Sequence, residues 1–525
     1  MLFADVVQAS AAVAATRSRL AKVDVLAAAL QAAAAPEPGT RSSAAGKAAD
    51  ATRTAIRSVT GFLTGFPVQG RIGTGWRTLV RLERPPAAAP SLTVAEVDAA
   101  LTALAGTSGS GSQARRETLL SELLGRATAV EQDFLMRLLT GELRQGALEG
   151  VMLDAIARAC SAEGERVRRA FMLSGSLPDT AAAALLDGVE ALDAFGLEIG
   201  RPLRPMLASP AASLAEAIDE LGATRVEYKL DGARVQVHRD GDDVHIYTRT
   251  LREITESVPE LVALVRALPC ESVVLDGETL ALNDDGRPRP FQETMSRFGA
   301  ASAHELLLRP YFFDCLHLNG TDLLDAPLSE RVEALRRVAA THLIPGVAEP
   351  TAEQAATLLT SALADGHEGV MVKALASPYA AGRRGRAWQK VKPVHTLDLV
   401  VLGAEWGHGR RTGMLSNLHL GARDPDGGAP VMVGKTFKGL TDELLAWQTT
   451  TFPEYEQRRT KAAVFLRPEL VVEIALDGAQ VSPRYPGGVA LRFARVVRYR
   501  PDKEAAQADT IDAVRALLPG GRPDQ

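Results

Sequence analysis

Cysteine is almost missing from this chain of 525 residues, which has only Cys160, Cys270 and Cys315, far apart from one another. That scarcity excludes a four-cysteine zinc module and a disulfide framework. No apolar run reaches the roughly 18 residues that a membrane span needs, so no membrane partner is expected. Leu2 to Ala35 is rich in alanine, but Asp5, Arg17, Arg19, Lys22 and Asp24 interrupt it. The pattern fits amphipathic helices instead of a signal peptide, and a cytoplasmic location is expected. An excess of positive charge is also lacking. With a formal net charge of -5, any nucleic-acid binding must rest on local patches. The nine histidines show no metal-ligand spacing, and no repeat of solenoid period is present.

What the chain does contain is the 46% hydrophobic and 23% charged balance of a soluble globular protein, at a length that suggests about three domains. Up to about Leu197 the reading is helical. Val130, Phe134, Leu135, Leu138 and Leu139 form one apolar stripe, and Leu148, Met152, Leu153 and Ile156 form another. Between them, Thr140 to Gly146 is either a plain helix connection or a turn whose N-H groups meet a phosphate. Pro36 to Ser43 and Gly106 to Ser112 read as loops. The prolines of Gly200-Arg-Pro-Leu-Arg-Pro205 end the helical pattern. Strand candidates then alternate with helical pieces: Val244 to Thr248, Ser272 to Leu275, Tyr311 to Asp314 and Gly369 to Val372. This is an α+β region with antiparallel sheet. After Pro393 come short strands with glycine-rich turns and one helix over Thr441 to Phe452, consistent with a small β-barrel. The expected domains are 1-199, 200-393 and 394-525.

Two basic runs stand out. Arg383 to Lys392 holds five cations and no acid, and Arg484 to Lys503 holds six against Asp502 alone. Each is either a solvated face or a polyanion site. Within Glu227-Tyr-Lys-Leu-Asp-Gly-Ala-Arg234, Val226 and Tyr228 alternate with polar positions, as do Val235 and Val237. Two half-buried strands joined at a tight Asp231-Gly232 turn are expected. Lys229 would sit at a strand end. It is either a solvated hairpin lysine or a nucleophile, and the second role needs neighbouring cations, a metal or desolvation.

Downstream of Lys229, in order, come Arg234, Arg249, Asp276-Gly-Glu278, Tyr311-Phe-Phe-Asp314, Glu368-Gly-Val-Met-Val-Lys373 and Trp388-Gln-Lys-Val-Lys392. This series resembles the ordered motifs of the covalent nucleotidyltransferases, the superfamily of polynucleotide ligases and capping enzymes. Ile72-Gly-Thr-Gly-Trp76 and Leu138 to Ala147 are similar to the helical DNA-binding domain of ATP-dependent DNA ligases of the archaeal and eukaryotic replicative type. Arg410 to Leu420 and Leu491 to Lys503 look like the oligonucleotide-binding (OB-fold) domain of the same ligases. Ala494 stands where many of them carry proline, a local change in backbone stiffness.

The resemblance implies a multidomain fold: an all-α DNA-binding domain, an α+β adenylation domain and an OB-fold β-barrel. It implies nick sealing in duplex DNA, independent of base sequence, with ATP as co-substrate and Mg2+, or Mn2+, as the ion. Lys229 would attack the α-phosphate of ATP and become N6-AMP-lysine, and the AMP would pass to the DNA 5'-phosphate. Lys390 and Lys392 would contact the α-phosphate and, as like charges, favour the free amine of Lys229. Arg234 and Arg249 would hold phosphate or ribose, Glu278 a ribose hydroxyl, and Phe313 would stack on adenine. Glu227 would read the base edge, Arg384 would help hold the nucleotide, and Lys373 would face the phosphates. Glu368, with Glu278, would bind the metal. Arg498 and Lys503 would assist pyrophosphate departure. A monomer is expected, serving replication, repair or recombination, with a sliding clamp or repair proteins as possible partners. A capping-type guanylyltransferase and a non-catalytic DNA-binding scaffold are the alternatives. An NAD-dependent ligase lacks support, since three cysteines cannot build its zinc module.

Overall fold

The computed structural model describes residues 1-518 apart from 36-44, 71, 74, 83, 144, 146-148, 284-285, 290-293 and 295-307. The expected loop at Pro36 to Ser43 lies outside the described residues, as do Thr74 of the Ile72 to Trp76 motif, Arg144, Gly146 and Ala147 of the turn motif, and Leu148 of the second apolar stripe. The chain forms two compact units, Met1–Pro205 and Met206–Gln525.

The described part of the first unit is helical. Thr128 and Glu131 close a capping box that starts the helix Ala129–Thr140, and Gly141, at φ 72°, ends it. This helix buries Phe134, Leu135 and Leu138, while Glu149–Ala159 buries Met152, Leu153 and Ile156. Those stripes sit in one core with Phe3 and Phe62, whose rings meet edge to face at 5.8 Å. Val130 does not join them. It lies in the first helical turn and is exposed.

The second unit contains two five-stranded sheets and a larger strand-rich region. The first sheet contains β1 (Leu207–Pro210), β2 (Thr224–Lys229), β8 (Gly346–Ala348), β9 (Gly369–Ala374) and β10 (Arg384–Val391) in the order β1-β10-β9-β2-β8. Its pairs are antiparallel except β1 with β10. The other sheet contains β3 (Ala233–Asp240), β4 (Asp243–Thr248), β5 (Ser272–Ala281), β6 (Leu308–Leu318) and β7 (Thr321–Asp322) in the order β4-β3-β5-β6-β7.

The hairpin expected around Lys229 is therefore corrected. β2 and β3 do not pair, because Asp231-Gly232 carries the chain from one sheet to the other. A Cβ on Gly232 would lie 2.4 Å from Thr279 O and 2.6 Å from Leu280 Cδ2, so only glycine permits the crossing. β2 is not half-buried either. Thr224 to Tyr228 are all buried, since β2 lies between β9 and β8. Its polar residues reflect buried ion pairs, not a wet face.

Beyond β10, β11 (His395–Trp406) anchors a seven-stranded sheet with β12 (Leu415–Ala422), β13 (Val431–Thr436), β14 (Glu456–Arg459), β15 (Ala463–Leu466), β16 (Val471–Leu476) and β19 (Arg495–Tyr499). β17 (Gly478–Val481) and β18 (Val489–Arg492) form a separate hairpin. The expected helix is present as Asp442–Thr451, capped by Thr441, whose hydroxyl accepts from Leu444 N.

Candidate active site

Strand ends and the crossing between the two sheets make the walls of a cavity of about 560 Å3. Eleven of the candidates from the sequence line it: Glu227, Lys229, Arg234, Arg249, Glu278, Phe313, Glu368, Lys373, Arg384, Lys390 and Lys392. Lys229 ends β2, opposite Gly369 in the β2–β9 register. Glu368 N donates to Lys229 O at 3.0 Å. Gly369 has φ 138°, and a Cβ there would lie 2.3 Å from Val391 O and 3.0 Å from Lys392 Cα. The Glu-Gly pair thus lets the start of β9 approach the end of β10, bringing Glu368 beside Lys392.

Three cations converge on Glu368. Lys229 Nζ is ion-paired to it, Lys392 Nζ lies 3.6 Å away, and Arg492 Nη2 lies 3.4 Å away. Burial would raise the Glu368 carboxyl, but Lys229, Lys392 and Arg492 outweigh it and hold the group below its ordinary range. Glu278 goes the other way. Burial pushes its carboxyl up to about 8 although Arg234 and Lys229 pull it down. Lys390 makes no ion pair with any described residue. Burial, then Lys392, Lys229 and Arg384, lower its pKa. Arg249 and Arg384 are exposed and likewise unpaired among the described residues. Three unpaired cations facing one cavity with a lysine amine suit a polyphosphate.

Arg234 is more committed. Its Nε and Nη2 donate to Asp276 at 3.0 and 2.6 Å, and Nη1 to Met206 O at 2.7 Å. Tyr379 donates to the same carboxylate at 2.6 Å. Asp276 thus orients Arg234, and Asp314 is bound to Arg331 away from the cavity. Lys373 is not grouped with the phosphate-type lysines as expected. It is buried, ion-paired to Glu227, and set over the Phe313 and Trp388 rings at 4.3 and 4.1 Å. Its strand carries it to the aromatic side of the cavity.

Three domain models match the chain: "ATP dependent DNA ligase domain" over residues 205–392, "DNA ligase N terminus" over 70–157 and "ATP dependent DNA ligase C terminal region" over 411–503. A "Probable DNA ligase" of Rhodococcus jostii (strain RHA1) is 67% identical over 99% of this chain and 100% of its own length. The chain belongs to the ATP-dependent DNA ligase family. A "Probable DNA ligase" of Saccharopolyspora erythraea is 66% identical over 98% of both chains. A solved structure named "Pmar-Lig_Pre." is 18% identical, covering 94% of this chain and 99% of that one at a TM-score of 0.60, and shares the fold.

Among the lining residues of the ligase cavity that went unforeseen as site residues are Arg492 and Phe493. Arg492 Nη1 and Nη2 reach Asp231 at 2.8 and 3.2 Å. Lys392 Nζ meets Asp477 at 2.5 Å. The basic run around Arg492 was visible in the sequence, but which of its members would turn inward was not. Arg498 and Lys503 do not line the cavity. They pair with Glu473 and Asp398.

Proposed function

We propose that this chain seals single-strand nicks in duplex DNA with ATP, through adenylate carried on Lys229 and then on the DNA 5'-phosphate. The observation that carries the reading is one amine, Lys229, facing a cavity with the unpaired cations Lys390, Arg249 and Arg384. In the first step Lys229 Nζ forms a bond to the α-phosphorus of ATP as the bond to the pyrophosphate oxygen breaks. The amine must first leave Glu368 and lose its proton. Lys392 and Arg492 then remain to balance Glu368, and Lys390 takes an α-phosphate oxygen. In the second step the DNA 5'-phosphate displaces lysine from AMP. In the third, the 3'-hydroxyl displaces AMP and closes the strand. Every step is a transfer at phosphorus, so positioning and charge neutralisation dominate.

Glu278 and Glu368 are the cavity carboxylates proposed to hold Mg2+, or Mn2+. No three acidic, histidine or cysteine side chains cluster to hold an ion among the described residues. The two carboxylates would supply hard oxygen ligands and leave the other positions of an ion to triphosphate oxygens and water. When bound, the ion would offset triphosphate charge. Phe313 is proposed to stack on the base and Glu227 to meet its edge, with Arg234 and Arg249 on ribose or phosphate. The seven-stranded sheet after β10 is proposed to be the OB-fold domain, with boundaries near 199/200 and 393/394.

Incubation with α-labelled ATP, GTP or NAD tests the reading. Label should remain on denatured protein from ATP alone and should leave when nicked duplex is added. Label that nicked DNA cannot discharge would favour a capping-type acceptor. Lys390→Ala should reduce lysine charging at least about 100-fold, in the range of a lost charge-stabilising contact, with nicked-DNA binding by gel shift largely retained. Equal charging would exclude Lys390 from the α-phosphate.

Glu278 sets a pH dependence. The folded state holds its proton more tightly than the unfolded chain does, so ionisation costs stability progressively as pH rises from the ordinary carboxylate range to about 8. As a carboxylate it accepts from the ribose hydroxyl, so KM for ATP should fall as pH rises through about 8. Glu278→Gln should flatten that change.

A further inference from the structure

Behind the cavity wall lies a cation that none of these steps uses. Arg225 is buried and does not line the cavity. Its Nε donates to Glu227 Oε2 at 3.1 Å and its Nη2 to Ile344 O at 3.3 Å. The other Glu227 oxygen, Oε1, is ion-paired to Lys373. The β2–β9 register sets Arg225 directly opposite Lys373, and the two-residue strand period puts Glu227 on the same face as Arg225. Two desolvated like charges facing each other across a sheet repel. Glu227 makes the arrangement tenable by giving one oxygen to each. Its backbone is tightly held too. Gly346 is its partner in β8, and a Cβ there would lie 2.7 Å from Glu227 Cβ.

We propose that Arg225 is a positioning residue for base selection, holding Glu227 so that an acceptor, Glu227, and a donor, Lys373, face the purine side by side. The inference rests on the adenylation reading and adds to it what chooses the nucleotide. Each carboxylate oxygen has a second lone pair, so Glu227 can accept from a base while both cations stay bound. An amino-purine offers an N-H donor at its 6-position beside a ring-nitrogen acceptor, the complement of this edge. A 6-oxo-purine puts an oxygen acceptor against the carboxylate, leaving two acceptors opposed in a dry site. Such a mismatch discriminates more strongly than a missing contact does. Phe313 and Trp388, beside Lys373, keep the donor in the aromatic part of the cavity.

Single-turnover labelling of the full chain with α-labelled ATP or GTP, over a range of concentrations, tests this. In Arg225→Met the ATP concentration for half-maximal charging should rise about tenfold or more, as expected for a lost hydrogen bond to a charged group. The maximal rate should stay within about threefold, and the preference for ATP over GTP should narrow about tenfold. Arg225→Lys should restore most of both. In Glu227→Gln the carboxamide can turn its NH2 toward a 6-oxo group, so GTP charging should rise relative to ATP. A purely structural role predicts a lower yield of active enzyme with unchanged half-saturation and unchanged nucleotide preference, and that result would overturn the proposal. If Arg225→Met does not fold, Glu227→Gln decides: an unchanged ATP-to-GTP ratio overturns it. No labelling of the wild type from either nucleotide would instead sink the adenylation reading itself.

Discussion

Lys229→Ala should lose ATP-dependent nick sealing by about 10,000-fold or more, the expectation when a covalent nucleophile is removed. Among the described residues, no other lysine lining the cavity can replace it without moving. Lys392 is bound to Asp477 and Lys373 to Glu227, while Lys390 is placed to meet phosphate. The defect should be confined to the first two steps. Sealing of a nick that already carries 5'-adenylate needs the cations of the cavity but no lysine nucleophile, and the variant should retain it within about tenfold. Gel assays on the two substrates separate these outcomes. Loss of both activities would mean that Lys229 also holds the site together, through Glu368.

The second large effect is on stability. Arg331 and Asp314 are both fully buried, joined by Nε to Oδ1 at 2.7 Å and Nη2 to Oδ2 at 3.1 Å. Arg331 also donates to Ala326 O and Ser377 O at 2.6 and 2.8 Å. The pair fastens the helix Leu328–Ala339 to β6, the strand that carries Phe313 into the cavity. Asp314→Ala would strand a buried guanidinium, at a cost of about 3–5 kcal/mol. Urea unfolding of the full chain should show the shift, with ATP binding weakened because Phe313 adjoins the lost contact. Asp314→Ala with Arg331→Met should recover part of it, since the double variant leaves no unpaired charge. Equal destabilisation in the single and double variants would show that packing, not charge, dominates there.

Much of the site was readable in the sequence because its chemistry sits in short runs. From Glu227 to Lys392 the candidates converge on one cavity, and the glycines beside them have plain steric reasons. Gly369 lets Glu368 reach Lys392, and Gly232 lets the chain change sheets. What was not readable depends on pairing between distant segments. Alternation around Lys229 suggests a hairpin, yet β2 pairs with β9 and β8 from far along the chain. Local pattern cannot tell a polar residue facing water from one facing a buried counter-ion, so Arg225 and Glu227 imitate a wet strand face. The same limit applies to the basic runs. Arg386 meets Glu220, and Arg498 and Lys503 meet Glu473 and Asp398, acids that lie elsewhere in sequence. Arg492 alone of its run is paired to Asp231 and Glu368.

In the proposed mechanism the amine of Lys229, released from Glu368, carries the adenylate. Mass analysis of peptides from ATP-treated, denatured protein tests it most directly. The peptide containing Lys229 should carry the mass of one AMP, in acid-labile linkage, and should lose it after nicked duplex is added. AMP on any other residue, or none on protein that still seals nicks with ATP, would contradict that mechanism.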